Sequence, residues 1–235
     1  MMREVGDGSA RAVSQLIAGE AFAVIDISGD WAWGYSLHDH YVGHVPIAAL
    51  GAKTDAVTHM VSVPLALVFA APDIKSTLVG TLSVGARIDG EVDRGFVRTS
   101  GGYVHTRHLR LVEDVEEDPV AVAERLIGLP YLWGGRGAGG IDCSGLVQLA
   151  LGLCGRSCPR DSDQQRLLGD EIEDGELRRG DLVFFPGHVG FMADGETLLH
   201  ANAHWMAVVA EPLADVVARL LPNHDRPIVA RRRIA

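Results

Sequence analysis

Cysteine, basic charge and long apolar runs are all scarce in this chain of 235 residues. The three cysteines, Cys143, Cys154 and Cys158, cannot all pair with one another, and no second Cys-x-x-Cys half accompanies them, so neither a disulfide scaffold nor a structural zinc site is expected. A reducing compartment is the simpler home for such a set. Lys and Arg number 21 against 31 Asp and Glu, a net charge of -10, which speaks against nucleic acid or an anionic membrane as a partner. The longest apolar run, residues 61–71, is about half a membrane span and is broken by Ser62 and Pro64. The segment from Met1 to Gly8 lacks the apolar core and small-residue cleavage site of a secretory signal, so the expected location is cytoplasmic. Glycine is concentrated at residues 134–140, but that stretch lacks the Lys-Ser/Thr ending of a phosphate loop and does not follow a strand. No cofactor and no metal are expected.

What remains is an ordinary globular composition, 47% hydrophobic and 22% charged, with room for one to three domains. Up to about residue 112, short β-branched and aromatic runs such as 22–27 and 41–45 alternate with polar turns, the spacing of small antiparallel barrels. An aromatic strand around Trp31 and Trp33 and a Tyr41-Val42-Gly43 strand are echoed by Phe96-Val97 and Gly102-Tyr103-Val104. This repeated order resembles tandem bacterial SH3-type domains, set at 1–54 and 55–112. The acidic run 113–118 reads as a solvated linker, and Asp118-Pro119 as the cap and first residue of a helix that stops at Gly128. A second helix begins near Asp142-Cys143 and is apolar on nearly every side, which predicts burial. Strands follow at 182–185, 188–193, 197–201 and 206–209. Helices first and an antiparallel sheet afterwards make residues 113–235 an α+β domain.

Cys143 is the residue best placed for chemistry. At the first turn of a buried helix, unsatisfied backbone N–H groups and the positive end of the helix dipole favour a thiolate. Burial as a small hydrophobe suits Cys154 and Cys158, but the flanking Asp142 and Ser144 would make a strange core around Cys143. A carboxylate at Asp142 opposes thiolate formation, so a cationic partner is needed. His188 is the candidate base and His200 the candidate orienter of its ring. Their strands must be joined by an odd-length loop: a two-residue turn at Asp194-Gly195 puts the two rings on opposite faces, whereas a three-residue loop of Asp194, Gly195 and Glu196, with Gly195 left-handed, sets 190 opposite 200 and 188 opposite 202. His204, near the sheet end with Asn202, is read either as a border of the site or, more commonly for a lone histidine, as structural, and His38, His40, His44, His59, His105, His108 and His224 are taken as ordinary surface or turn residues.

In order along the chain stand Tyr131-Leu132-Trp133-Gly134-Gly135, Asp142-Cys143-Ser144-Gly145, Pro159-Arg160-Asp161-Ser162 with Gln165, Arg179-Gly180-Asp181 before Leu182, Gly187-His188-Val189-Gly190 and His200-Ala201. Over about residues 118–210 this series closely resembles the NlpC family of papain-like cysteine peptidases. The resemblance implies a reduced papain-like α+β fold, a Cys143 nucleophile, a His188 general base, a His200 orienting residue, and a Tyr131 hydroxyl that helps polarise the scissile carbonyl. With two SH3-type domains in front, the chain resembles the branch that cuts γ-D-glutamyl-L-diamino acid bonds in free murein tripeptides or tetrapeptides with an unblocked L-alanine. That branch implies amine recognition by Asp142, Ser144 and Ser162, together with Tyr41 and Glu20 of the first SH3-type domain. A free ammonium in a closed pocket needs such carboxylate and hydroxyl partners. The substrate carboxylates need donors, for which Arg136 and Arg160 are candidates. Two other readings stay open: an exported murein hydrolase, and an acyltransferase or amidase on the same fold.

Overall fold

Short β-branched runs and tight turns give the first half its antiparallel strands, and apolar periodicity gives the second half its helices and central sheet. The computed structural model describes residues 1–52, 57–173, 175 and 177–234. Two compact units emerge, one of residues 1–115 with 136–139, the other of residues 116–135 with 140–235. The expected division between residues 54 and 55 lies outside the described residues.

In the first unit, one sheet runs in the order Ala12–Ser14, Met2–Arg3, Val42–Pro46, Trp31–Ser36, Phe22–Ser28. Burial alternates along Trp31–Ser36, with Ala32, Gly34 and Ser36 inward, as a pleated strand requires. Met2, Ala32 and Val45 form the local core, against which Val13, Leu16, Phe22, Tyr41 and Leu50 pack. A second five-stranded sheet has the order Glu91–Asp93, Phe96–Thr99, Gly102–His105, Leu65–Phe69, Leu78–Ser83, and a three-stranded one the order Leu109–Leu111, His59–Val61, Arg87–Ile88. The expectation of closed barrels is corrected here. Among the described residues each sheet is open, with two unpaired edges, because members such as Met2–Arg3 and Ala12–Ser14 are too short to carry a ladder around.

In the second unit, α1 (Pro119–Glu124) starts at Asp118, whose carboxylate accepts the Val120 N–H at 2.8 Å. Helix α2 (Cys143–Leu153) is buried along nearly its whole length and packs on α1 and on the strands His188–Met192 and Thr197–Asn202. The sheet order is Asp170–Glu171, Ala230–Arg233, Leu182–Phe185, His188–Met192, Thr197–Asn202, Ala207–Pro212. The fourth expected strand thus begins at Ala207 and runs to Pro212. Elements without a forecast include α4 (Leu213–Leu220), which sets Leu213, Val216, Val217 and Leu220 against Val183, Phe185, Met192 and Leu198, and the short strands Gly140–Ile141, Asp170–Glu171 and Ala230–Arg233. A short α3 (Ser162–Gln165) completes the unit. No helix among the described residues is long and apolar enough to cross a membrane.

Candidate active site

One turn starts the His188 strand, and a loop of a different kind between the His188 and His200 strands puts the two histidines on one face. Phe185 pairs directly with His188, leaving Pro186 and Gly187 as a two-residue turn, and Gly187 has φ 68°, the left-handed state required at the third position of a type II turn. On the other side, Phe191 pairs with Leu199 and Met192 with Leu198, and the Ala193 N–H bonds to Thr197 O, so the loop is Asp194, Gly195 and Glu196. Continuing this register sets Gly190 opposite His200 and His188 opposite Asn202, the odd-length geometry that the paired histidines need. Gly195 is not left-handed as expected. The loop is held instead by the Asp194 carboxylate, which accepts N–H bonds from Glu196 at 2.8 Å and Thr197 at 2.7 Å.

Gly190 is the small residue that this arrangement demands. A Cβ there would stand 2.9 Å from Cβ of His200 and 3.0 Å from Leu198, so any side chain would displace the ring. With the space open, Nε2 of His188 lies 2.8 Å from Nδ1 of His200. Nε2 of His200 faces Oε1 of Glu211 at 2.9 Å and Nδ2 of Asn202 at 2.7 Å. Arg219 on α4 and the Trp205 indole donate to the same Glu211 oxygen at 2.7 and 3.1 Å. Sequence reading missed Glu211, Trp205 and Arg219. The available signal was strand alternation, since Leu198 pairs with Glu211 and His200 with Val209, which places Glu211 on the face of His200.

Cys143 sits at the first turn of α2, with its sulfur accepting backbone N–H bonds from Val189 and Ser144. The Val189 bond brings the sulfur to the strand that carries His188. Burial, and after it the charge of Asp142, push the thiol up to about 11. Burial and the adjacent His200 push His188 down to about 3. Both shifts favour a neutral thiol beside a neutral imidazole at rest, the pair in which an imidazole takes the proton as the sulfur attacks. Tyr131 is positioned by its N–H bond to Met206 O, and its hydroxyl is pushed up to about 12 by burial and then by Cys143 and Asp142, so it remains a donor.

Asp142 has a role that the sequence did not disclose. One oxygen caps α2 through the Gly145 N–H at 2.7 Å, and the other accepts the Gly134 N–H at 2.8 Å. Arg160 closes on both oxygens at 3.0 and 2.6 Å and donates to the Ser144 hydroxyl at 2.8 Å. Asp142, Ser144 and Arg160 therefore form one buried network behind the sulfur. Ser162 opens α3, whose Gln165 ties back to Ser144 O at 2.9 Å. Glu20 and Tyr41 lie in the first unit. Glu20 receives two bonds from Arg136, at 2.8 and 3.0 Å, and the Ile17 N–H at 2.8 Å, while Tyr41 packs against the Met2 cluster. Both candidate arginines are thus committed to carboxylates of the chain itself. His204 rests edge-on against Trp205. Among the described residues no group of three or more His, Cys, Asp or Glu is arranged to hold a metal.

Comparison with known proteins finds likeness in both halves. Residues 128–217 match the NlpC/P60 family and residues 2–50 match the bacterial dipeptidyl-peptidase SH3 domain. A γ-D-glutamyl-L-lysine dipeptidyl-peptidase of Bacillus cereus is 26% identical over 200 residues, 73% of this chain and 59% of that protein. Dipeptidyl-peptidase 6 of Lysinibacillus sphaericus is 31% identical over 166 residues, 61% of this chain and 60% of that one. The crystal structure of an NlpC/P60 family protein from Bacillus cereus shares the fold with a TM-score of 0.80 at 22% identity, covering 94% of this chain and 81% of that one. The chain spans about three fifths of the length of these two curated relatives.

Proposed function

Because the chain belongs to the NlpC/P60 family of cysteine peptidases and carries a bacterial dipeptidyl-peptidase SH3 domain near its N-terminus, we propose that it is a cytoplasmic endopeptidase of murein-peptide recycling. It cleaves the γ-D-glutamyl-L-diamino acid bond of free peptides with an unblocked L-alanine and releases L-Ala-D-Glu. The observation that carries this reading is the Cys143 sulfur at the first turn of α2, bonded to the backbone N–H of Val189 next to His188, whose own ring meets His200 on one face of the sheet. The names of the relatives, two of them dipeptidyl-peptidases, support the substrate class. In the same proposal, residues 1–54 and 55–112 are two SH3-type domains, and the catalytic domain is a reduced papain-like one.

The chemistry follows from the geometry. Nε2 of His188 is occupied by His200, which leaves Nδ1 to take the proton of Cys143. The sulfur attacks the glutamyl side-chain carbonyl, and the oxyanion is met by the Cys143 backbone N–H and the Tyr131 hydroxyl. His188 returns its proton to the departing amine, the C–N bond breaks, and a thioester remains on Cys143. Water, deprotonated by His188, attacks that thioester to release the dipeptide and restore the thiol. The free alanine amine is assigned to Asp142, Ser144 and Ser162, where it shares the Asp142 carboxylate with Arg160 and two backbone N–H groups. The test is incubation with L-Ala-γ-D-Glu-L-Lys and its meso-diaminopimelate analogue, each with a free or an acetylated N-terminus, against Cys143→Ala. L-Ala-D-Glu should appear from the unblocked peptides alone. Equal cleavage of the acetylated forms would remove the amine pocket, and inertness of all four with the protein folded would overturn the peptidase reading.

A further inference from the structure

His200 has two neighbours that compete for one ring nitrogen. Its Nδ1 faces His188, while its Nε2 lies 2.9 Å from a carboxylate oxygen of Glu211 and 2.7 Å from the amide nitrogen of Asn202. The Asn202 amide is not free to turn its oxygen to the ring, because that oxygen accepts the Trp205 backbone N–H at 2.8 Å. One neighbour is therefore an acceptor and the other a donor, and they demand opposite protonation of the same nitrogen.

The choice propagates to the nucleophile. With the proton on Nε2, His200 donates to Glu211, its Nδ1 lone pair accepts the Nε2–H of His188, and His188 keeps a lone pair on Nδ1 for the thiol. With Asn202 donating instead, the His200 proton sits on Nδ1 and points at Nε2 of His188. His188 then carries its own proton on Nδ1 and cannot take one from Cys143. We propose that Glu211 is a positioning residue that selects the first of these tautomer chains, and that Asn202 is the competitor it overrides. This deepens the proposed function and rests on its reading of His188 as the base.

Two observations give Glu211 the advantage. A carboxylate is the stronger partner for an N–H, since charge-assisted bonds are roughly twice as strong as neutral ones. Its oxygen is also fixed in place by Arg219 and the Trp205 indole, and its side chain is only 11% exposed. The Asn202 amide nitrogen also donates to that same oxygen at 3.4 Å, so its N–H has an acceptor other than the ring.

The tautomers are read directly by two-bond 1H–15N spectra of the full chain labelled with 15N-histidine, and their consequence by the rate at which iodoacetamide alkylates Cys143 at pH 8, followed by peptide mapping. In the wild type both His188 and His200 should be protonated on Nε2. Glu211→Ala should move the His200 and His188 protons to Nδ1 and slow Cys143 alkylation at least tenfold. Glu211→Ala/Asn202→Ala, which also removes the competing donor, should restore the tautomers and return the rate to within about threefold of Asn202→Ala alone, a rescue that a merely structural role would not produce. A wild-type spectrum with His200 protonated on Nδ1 overturns the proposal without any variant. So does a Glu211→Ala protein with unchanged tautomers and rate, or a double variant no faster than Glu211→Ala. Neither readout uses a peptide, so correct tautomers in a protein that cleaves no murein peptide would sink the substrate assignment and leave this inference standing.

Discussion

Replacing Arg160 with methionine isolates the buried network behind the sulfur. The Arg160 side chain is 1% exposed and the Asp142 side chain 8%, and they meet through two N–H···O bonds of 3.0 and 2.6 Å. In Arg160→Met the Asp142 carboxylate keeps two backbone N–H donors but loses its only charge partner in that network. Removing one member of a buried ion pair costs about 3–5 kcal/mol, because the other is left charged and out of water. Against a typical stability of 5–15 kcal/mol that is a large fraction. Because two units can unfold separately, a single melting curve is a poor assay. Hydrogen exchange of the α2 amides, read by mass spectrometry on peptides covering Cys143–Leu153, reports the opening of the second unit itself. The expected result is exchange faster by about two to four orders of magnitude. Arg160→Met/Asp142→Asn should recover much of that loss, since asparagine still caps the helix and carries no charge to strand. Exchange in Arg160→Met within tenfold of wild type would refute the reasoning, for the pair would then contribute less than about 1.4 kcal/mol.

Three further outcomes follow from the same geometry. Gly190→Ala puts a Cβ 2.9 Å from that of His200, so peptide turnover should fall at least tenfold for a stability loss of about 1–3 kcal/mol; wild-type turnover would show that the ring does not need that space. His188 is held down to about 3, whereas an unfolded histidine titrates near 6.5. Between those values the unfolded chain binds more protons, so stability is full above about pH 6.5 and declines toward pH 3, with His200 shifted in the same direction. Hydrogen exchange of α2 should be faster at pH 5 than at pH 7 once the intrinsic rates are corrected, and slower exchange would contradict this. With the Cys143 thiol pushed up to about 11, its ultraviolet thiolate absorbance, taken against Cys143→Ala, should rise only in alkaline solution above about pH 9; a rise complete by pH 5 would mean a preformed thiolate.

Much of the site was legible in the sequence because it is written in short-range patterns. The helix start at Asp142-Cys143, the loop length between the histidine strands and the all-round apolar α2 need only local spacing. Gly195 failed as a left-handed residue because Asp194 supplies the turn with a side-chain acceptor, a choice that spacing alone does not reveal. The Arg160–Asp142 pair joins residues 18 apart, and Arg219 and Glu211 meet only once α4 folds against the sheet. Helix α4 was legible and was missed: Leu213, Val216, Val217 and Leu220 recur at the i, i+3, i+4, i+7 spacing of an amphipathic helix, with Asp215 and Arg219 on the other face, and the stripe packs against Val183 and Leu198. Closed barrels were overread from strand spacing, which says nothing about whether strands of two or three residues carry the ladder to closure.

The most direct test of the central claim is acid quenching of the enzyme during turnover of L-Ala-γ-D-Glu-L-Lys, followed by peptide mapping of the segment that contains Cys143. The mechanism predicts an L-Ala-D-Glu acyl group on Cys143, absent from Cys154 and Cys158 and lost on hydroxylamine treatment. Turnover without any acyl group on Cys143, or an acyl group that retains the diamino acid, would contradict it.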